Sequence, residues 1–176
     1  MIRLVKPTEK MAEEIFAYKK EMLENNEDLH GCSFLEDYND VAGWLEKIAS
    51  YSDKNNKNFD NYLVEGTHFV LINENNRILG MINIRHELNE YLLSFGGHIG
   101  YSVRPSERIK GYAKKQLGLA VDFLRNRGVF EILITCSDTN IASYKTIESC
   151  GGILENIVQD KNGRLTRRYW IKKSEN

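Results

Sequence analysis

Arg108, Gly111 and Ala113 fall at R-x-x-G-x-A spacing in the turn Arg104-Pro105-Ser106-Glu107-Arg108-Ile109-Lys110-Gly111-Tyr112-Ala113. That spacing suits a phosphate group. Small residues let backbone approach an anion closely, and the unpaired N–H groups of a helix start point outward at it. Arg108 and Lys110 add positive charge. Asn140 marks a second helix start, three residues ahead of Ser143, and its side chain suits a cap. Two titratable groups, Glu87 and His98, stand at predicted strand ends and could move a proton.

These groups need elements to hold them. A strand over 2–5 leads through Pro7 and a capping Thr8 into a helix from Glu9 to about Asn25, where Met11, Ile15, Tyr18 and Met22 repeat at three- and four-residue spacing. A second helix, Tyr38 to about Ser50, carries Val41, Trp44, Leu45 and Ile48 on one face. A polar loop covers Ser52 to Asn61. Strands Thr67–Ile72 and Ile78–Arg85 flank the turn Asn73-Glu74-Asn75-Asn76. After a loop, Glu87 to Phe95, come the strand His98–Val103, the turn, and a helix from Gly111 to Arg127 ended by Gly128. The strand Glu131–Cys136 is nearly all apolar, as expected of a strand covered on both faces. The helix Ile141–Cys150, capped by Asn140, stops at Gly151-Gly152, and a hairpin of Ile153–Val158 and Leu165–Ile171 closes the chain. Residues 1–176 read as one α/β domain with a mixed sheet and no repeat or linker.

Composition narrows the classes. The chain has 176 residues, 41% hydrophobic and 28% charged, with a net charge of −1. Nothing basic argues for nucleic acid. No apolar run reaches the roughly 20 residues of a membrane span, and the N-terminus lacks a signal-peptide pattern. A cytoplasmic protein is the expectation. Cys32, Cys136 and Cys150 are odd in number and form no C-x-x-C pair, so neither a disulfide framework nor a metal site is expected.

The order of strand, R-x-x-G-x-A turn and helix resembles the acetyl-CoA pyrophosphate loop of the GNAT superfamily of N-acetyltransferases. The resemblance covers nearly the whole chain and is most specific from Gly96 to Gly152. Gly96-Gly97-His98-Ile99-Gly100-Tyr101-Ser102-Val103-Arg104-Pro105-Ser106, with the ending Arg168-Tyr169-Trp170-Ile171, is similar to a bacterial subgroup of predicted acetyltransferases. It implies a single-domain GNAT fold: a mixed central sheet, helices on both faces, and a splay between parallel strands 98–103 and 131–136. It implies acetyl-CoA as co-substrate and no metal. Backbone groups of Tyr101 and Val103 would bond the pantetheine arm. Arg108, Ile109, Lys110, Gly111, Tyr112 and Ala113 would hold the pyrophosphate, mostly through backbone N–H groups. Asn140 would bond the arm, with Ser143 nearby.

Acyl transfer to an amine needs a neutral amine, a stabilised oxyanion and a departing thiolate. A lysine-like amine is neutral in only about one molecule in 10³ at pH 7, so a base is useful. Glu87 and His98 are the candidates. A backbone N–H near Tyr101 could serve the oxyanion. Many relatives carry a proton-donating Tyr seven positions after the helix-starting Asn; here that position is Ile147. The resemblance places the acceptor cleft among the first two helices and the loops Ser52–Gly66 and Glu87–Phe95. Asp53, Asp60, Glu65, Glu87 and Glu90 offer negative charge there, and Trp44 and Phe59 offer an apolar wall or core. The leading expectation is acetylation of a small-molecule primary amine. Acetylation of protein N-termini or lysines and non-catalytic CoA sensing are the alternatives, and a homodimer is left open.

Overall fold

The computed structural model describes residues 1–53 and 64–172. Asp60 and Phe59 lie outside them. Among the described residues seven strands and four α-helices follow in the order β1 (Arg3–Val5), α1 (Ala12–Glu24), α2 (Val41–Tyr51), β2 (Gly66–Ile72), β3 (Ile78–Arg85), β4 (Ile99–Val103), α3 (Tyr112–Asn126), β5 (Ile132–Ser137), α4 (Ile141–Ser149), β6 (Ile153–Gln159) and β7 (Leu165–Ile171). Each element is where hydrophobic periodicity puts it, within about three residues. Thr8 occupies the expected cap position, but its side chain makes no capping bond. The cap of α2 is Asp40, whose carboxylate accepts from the Gly43 N–H at 2.7 Å.

Strands β1-β2-β3-β4 form one antiparallel sheet and β5-β7-β6 another. The expected mixed sheet is thus divided, and its halves meet where β4 and β5 begin. There the His98 N–H bonds the Leu133 carbonyl at 2.7 Å, and the Leu133 N–H bonds Nδ1 of the His98 ring at 3.0 Å. Gly97, at φ 65, passes so close to β5 that an added Cβ would lie 2.8 Å from the Leu133 carbonyl oxygen. Beyond this junction β4 pairs with β3 alone, and the gap opens.

One core lies between α1, α2 and the first sheet, built on Ile15, Tyr18, Met22, Trp44, Val70 and Met81. The other lies under α3 and α4, built on Leu117, Ala120, Leu124, Ile84, Ile134, Ile147 and Tyr169. Strand β3 alternates between them: Met81 faces α1 and α2, Ile82 and Ile84 face α3. Among the described residues no helix is long and apolar enough to cross a membrane.

Candidate active site

The turn between β4 and α3 is held from below by carboxylates of α1. Arg104 is buried and donates from Nε to Glu21 at 2.6 Å and from Nη1 to Glu14 at 3.0 Å. Glu21 also accepts the Ser106 N–H at 2.8 Å. Burial pushes the Glu21 carboxyl up, but the bonds from Ser106 and Arg104 outweigh it and bring its pKa down to about 2. Pro105 starts a 3₁₀ turn, Pro105–Glu107, and Lys110 folds back onto Glu107 at 2.9 Å. Arg108 spends its guanidinium on the Val103 carbonyl and Glu27. Its side chain therefore braces the turn against the end of α1.

Two left-handed residues complete the turn, Ile109 at φ 64 and Gly111 at φ 81. For Gly111 this conformation costs little. For Ile109, β-branched and fully exposed, it is strained, and no packing offsets it. The chain can then enter α3 abruptly. Gly111 is the N-cap and provides no side-chain cap, so the first N–H groups of α3, at Tyr112, Ala113 and Lys114, have no side chain of their own cap to bond. Space around Gly111 is open: an added Cβ would meet nothing within 4 Å. An open groove of about 420 Å³ continues from Gly111 along α3 past Lys114, Lys115, Gly118 and Leu119, with Asp122 at its far end. Positive ends of backbone and side chains thus converge on one accessible face, which suits a polyphosphate.

Strand β4 presents the second feature. The bonds from Arg85 N–H to the His98 carbonyl and from Arg104 N–H to the Leu79 carbonyl fix the alternation of the β3–β4 ladder. Gly100 and Ser102 turn their backbone groups to β3; Tyr101 and Val103 turn theirs to the gap. The Val103 carbonyl is taken there by Arg108. The Tyr101 side chain crosses toward α4, its hydroxyl 3.3 Å from that of Ser143. Burial raises the Tyr101 pKa to about 12 and that of the Cys136 thiol to about 11. Asn140 caps α4 by accepting the Ser143 N–H at 3.0 Å. Its amide nitrogen is left for another acceptor.

The two candidate bases are not brought together as a pair. His98 is buried, and its Nδ1 lone pair is used by the Leu133 N–H, so the neutral ring carries its proton on Nε2. Burial lowers its pKa to about 4. In this arrangement His98 pins the two sheets and has no lone pair to offer an amine. Glu87 is exposed in the bend after β3. Ile147 is fully buried in the second core and donates nothing. Trp44, the candidate cleft wall, is core as well, with Nε1 bonded to the Cys32 carbonyl at 2.9 Å. Glu65 is bonded to His86, 2.9 Å from Nδ1, while Thr67 takes Nε2. Glu90 is exposed.

Arg85 is a candidate site residue that residue type and motif spacing alone do not mark. It shares the face of Met81 and Asn83, and its Nη1 donates to the carbonyls of Gly96 (3.2 Å) and Gly97 (3.0 Å). The signal was present: a cation closes the apolar strand Ile78–Arg85, in phase with its α1 side.

The family model for the acetyltransferase (GNAT) family matches residues 33–151, more than half of the chain. No curated protein matches by sequence. Among solved structures, a candidate ribosomal-protein-serine acetyltransferase from Vibrio cholerae is similar at a TM-score of 0.69 and 16% identity, over 98% of this chain and 94% of that one. The dodecameric spermidine N-acetyltransferase from Vibrio cholerae is similar at 0.66 and 18%, over 97% and 93%. Mutant forms of the spermidine/spermine N-acetyltransferase SpeG from the same organism match at 0.65 and 15%, over 98% and 95%. With the open helix start, the parted strands and the matched family model in agreement, the chain belongs to the GNAT family of acetyltransferases.

Proposed function

We propose that the protein transfers an acetyl group from acetyl-CoA to the primary amine of a small molecule in the cytoplasm. The observation that carries this reading is the uncapped start of α3 behind a strained turn, in line with the outward backbone of β4. The Arg108 N–H is already bonded to the Pro105 carbonyl, so the pyrophosphate would sit on the N–H groups from Ile109 to Ala113, and Lys114 and Lys115 would offer charge to the rest of the nucleotide. The pantetheine arm would run back along β4, bonded by Tyr101 and by the free amide nitrogen of Asn140.

The acetyl thioester supplies the acyl group. The acceptor nitrogen forms a bond to the carbonyl carbon, the carbon–sulfur bond breaks, and the amine proton leaves. The Tyr101 N–H, fixed toward the gap by the ladder, would stabilise the oxyanion. Glu87, directly or through water, would take the proton. The thiolate would take its proton from solvent, because a thiol of pKa near 8.5 is already a good leaving group. A homodimer fits this reading: the edge strand β6 exposes Ile153, Leu154 and Ile157, and sedimentation would read it.

The test is acetyl-CoA binding by calorimetry, then CoA release over a panel of primary amines. Binding with turnover of free amines supports the proposal. Turnover confined to peptides favours a protein acceptor, and binding without turnover favours a sensor.

A further inference from the structure

On the proposed acceptor side of the gap, Arg85 is a cation that pairs with no carboxylate among the described residues. Arg85 is part-buried, yet among the described residues it makes no ion pair. Its hydrogen bonds to the described residues go from Nη1 to the Gly96 and Gly97 carbonyls, at the junction of the two sheets. Nε and Nη2 form the side-on edge that grips a carboxylate with two parallel bonds. That edge makes no hydrogen bond among the described residues, and its atoms are not among the sealed polar atoms lacking partners.

Position gives this edge a meaning. On the proposed reading the arm would start at the turn beyond the end of β4 and run back along the strand, so its acyl end would lie toward Ile99 and Gly100. Arg85 stands there: an added Cβ on Gly100 would lie 4.0 Å from its Nη1. The loop between α1 and α2 covers the same spot from the other side. Gly31, at φ 74, lies so near that its own added Cβ would run into the Gly100 carbonyl. Ser33 bonds Asn83 at 3.2 Å beside Arg85 on the same face. Among the described residues the walls here include glycine backbone, a hydroxyl and an amide, and Tyr91 is close enough to act on the guanidinium electrostatically. Glu65 is engaged by His86 on the opposite face, where His86 packs against Phe123 of α3.

Holding the two glycine carbonyls accounts for one nitrogen of the guanidinium. An enclosed cation without a counter-charge is disfavoured, and a ligand carboxylate would supply that charge. We propose that Arg85 recognises a carboxylate on the acceptor, so that the substrate is an amine that also bears a carboxylate, the chemistry of an amino acid. This rests on the acetyltransferase reading and narrows its substrate class. Among the described acidic loop residues, Glu87 and Glu90 are exposed and Glu65 is paired with His86, and a dicationic polyamine is disfavoured by the same guanidinium.

The experiment compares matched acceptors, each an α-amino acid and the amine that lacks only its carboxylate, in acetyl-CoA turnover. The carboxylate member is expected to show at least about tenfold higher kcat/KM, carried by KM, as a bidentate charged contact would give. Arg85→Met should bring the ratio close to one, and Arg85→Lys should recover part of it. Turnover of both members without preference in the unmodified protein overturns the inference and leaves the transferase reading intact. If no amine is acetylated, that reading fails, and calorimetry of N-acetyl amino acids against N-acetyl amines still tests Arg85. Equal or absent binding of the two overturns the carboxylate site. Should Arg85→Met not fold, the unmodified protein and Arg85→Lys decide.

Discussion

Gly111 has two separable roles. Its left-handed backbone penalises any side chain by roughly 1–2 kcal/mol, whereas the space around it is open. Gly111→Ala should therefore lower stability by about that amount and keep acetyl-CoA affinity within a few-fold. Gly111→Glu carries the same strain plus a carboxylate where the pyrophosphate would sit, and should abolish binding. Calorimetry on the folded pair reads the difference, and equal affinities would remove the phosphate from this turn. The proton acceptor is tested at the same scale. Glu87→Gln should remove the acidic limb of the pH–rate profile, while a wild-type profile would hand the proton to water. What was legible here was composition: the small residues, the strand before them and the helix after. What was not legible was side-chain direction. The Arg108 side chain reads as positive charge beside the phosphate site, yet it bonds Glu27, which is distant in sequence. Likewise His98 reads as a base until the Leu133 N–H is seen on its ring.

At the scale of elements, the amphipathic helices and buried strands follow from short-range pattern, and the sequence predicts them. The segment Leu92–Gly96 is different. It forms a single π-helical turn inside what reads as loop. Asn89 holds its start locally by accepting the Leu92 N–H at 2.9 Å, but other determinants are remote: the Thr135 hydroxyl donates to the Phe95 carbonyl at 2.8 Å, and Arg85 donates to those of Gly96 and Gly97. The division of the sheet was hidden for the same reason, since a histidine ring replaces a ladder bond at its junction. Gly97→Ala should test that junction. The new Cβ would sit 2.8 Å from a backbone oxygen and 3.2 Å from Ile134 Cα, neither of which can rotate away. Together with the left-handed φ, this should cost more than about 2 kcal/mol in denaturant unfolding and lower turnover through the widened junction. An unchanged midpoint would mean that the sheets meet elsewhere. Asn140→Ala should cost roughly 1 kcal/mol as a lost cap and also weaken acetyl-CoA. A stability loss with unchanged affinity would leave Asn140 a cap alone.

Over the whole molecule, ionisable groups tie the two cores to the site, and acid should release them in order. Burial lowers His68 to about 3 and His98 to about 4, below the 6.5 of a free histidine. Between pH 6.5 and these values the unfolded chain binds protons that the folded chain does not. Stability is therefore full above pH 6.5 and falls as pH drops, which for His98 amounts to about 3 kcal/mol by pH 4. Glu21 acts lower. Its pKa falls from 4.5 to about 2 in the folded state, so its contribution is present above pH 4.5 and is lost as pH drops through 2. The clamp on Arg104 and Ser106 would go with it, and with the clamp the geometry of the cofactor turn. Urea midpoints measured from pH 8 to pH 3 should decline from about pH 6.5 onward. His98→Gln should be less stable at pH 8, having lost the ring bond that joins the sheets, yet flatter between pH 6.5 and 4. Glu21→Gln should keep that upper slope and lose the steeper fall below pH 4.5. A His98→Gln profile parallel to the unmodified protein would mean that this ring titrates in the fold as it does in water. It would then be solvated and open to protonation, which would restore it as a candidate base.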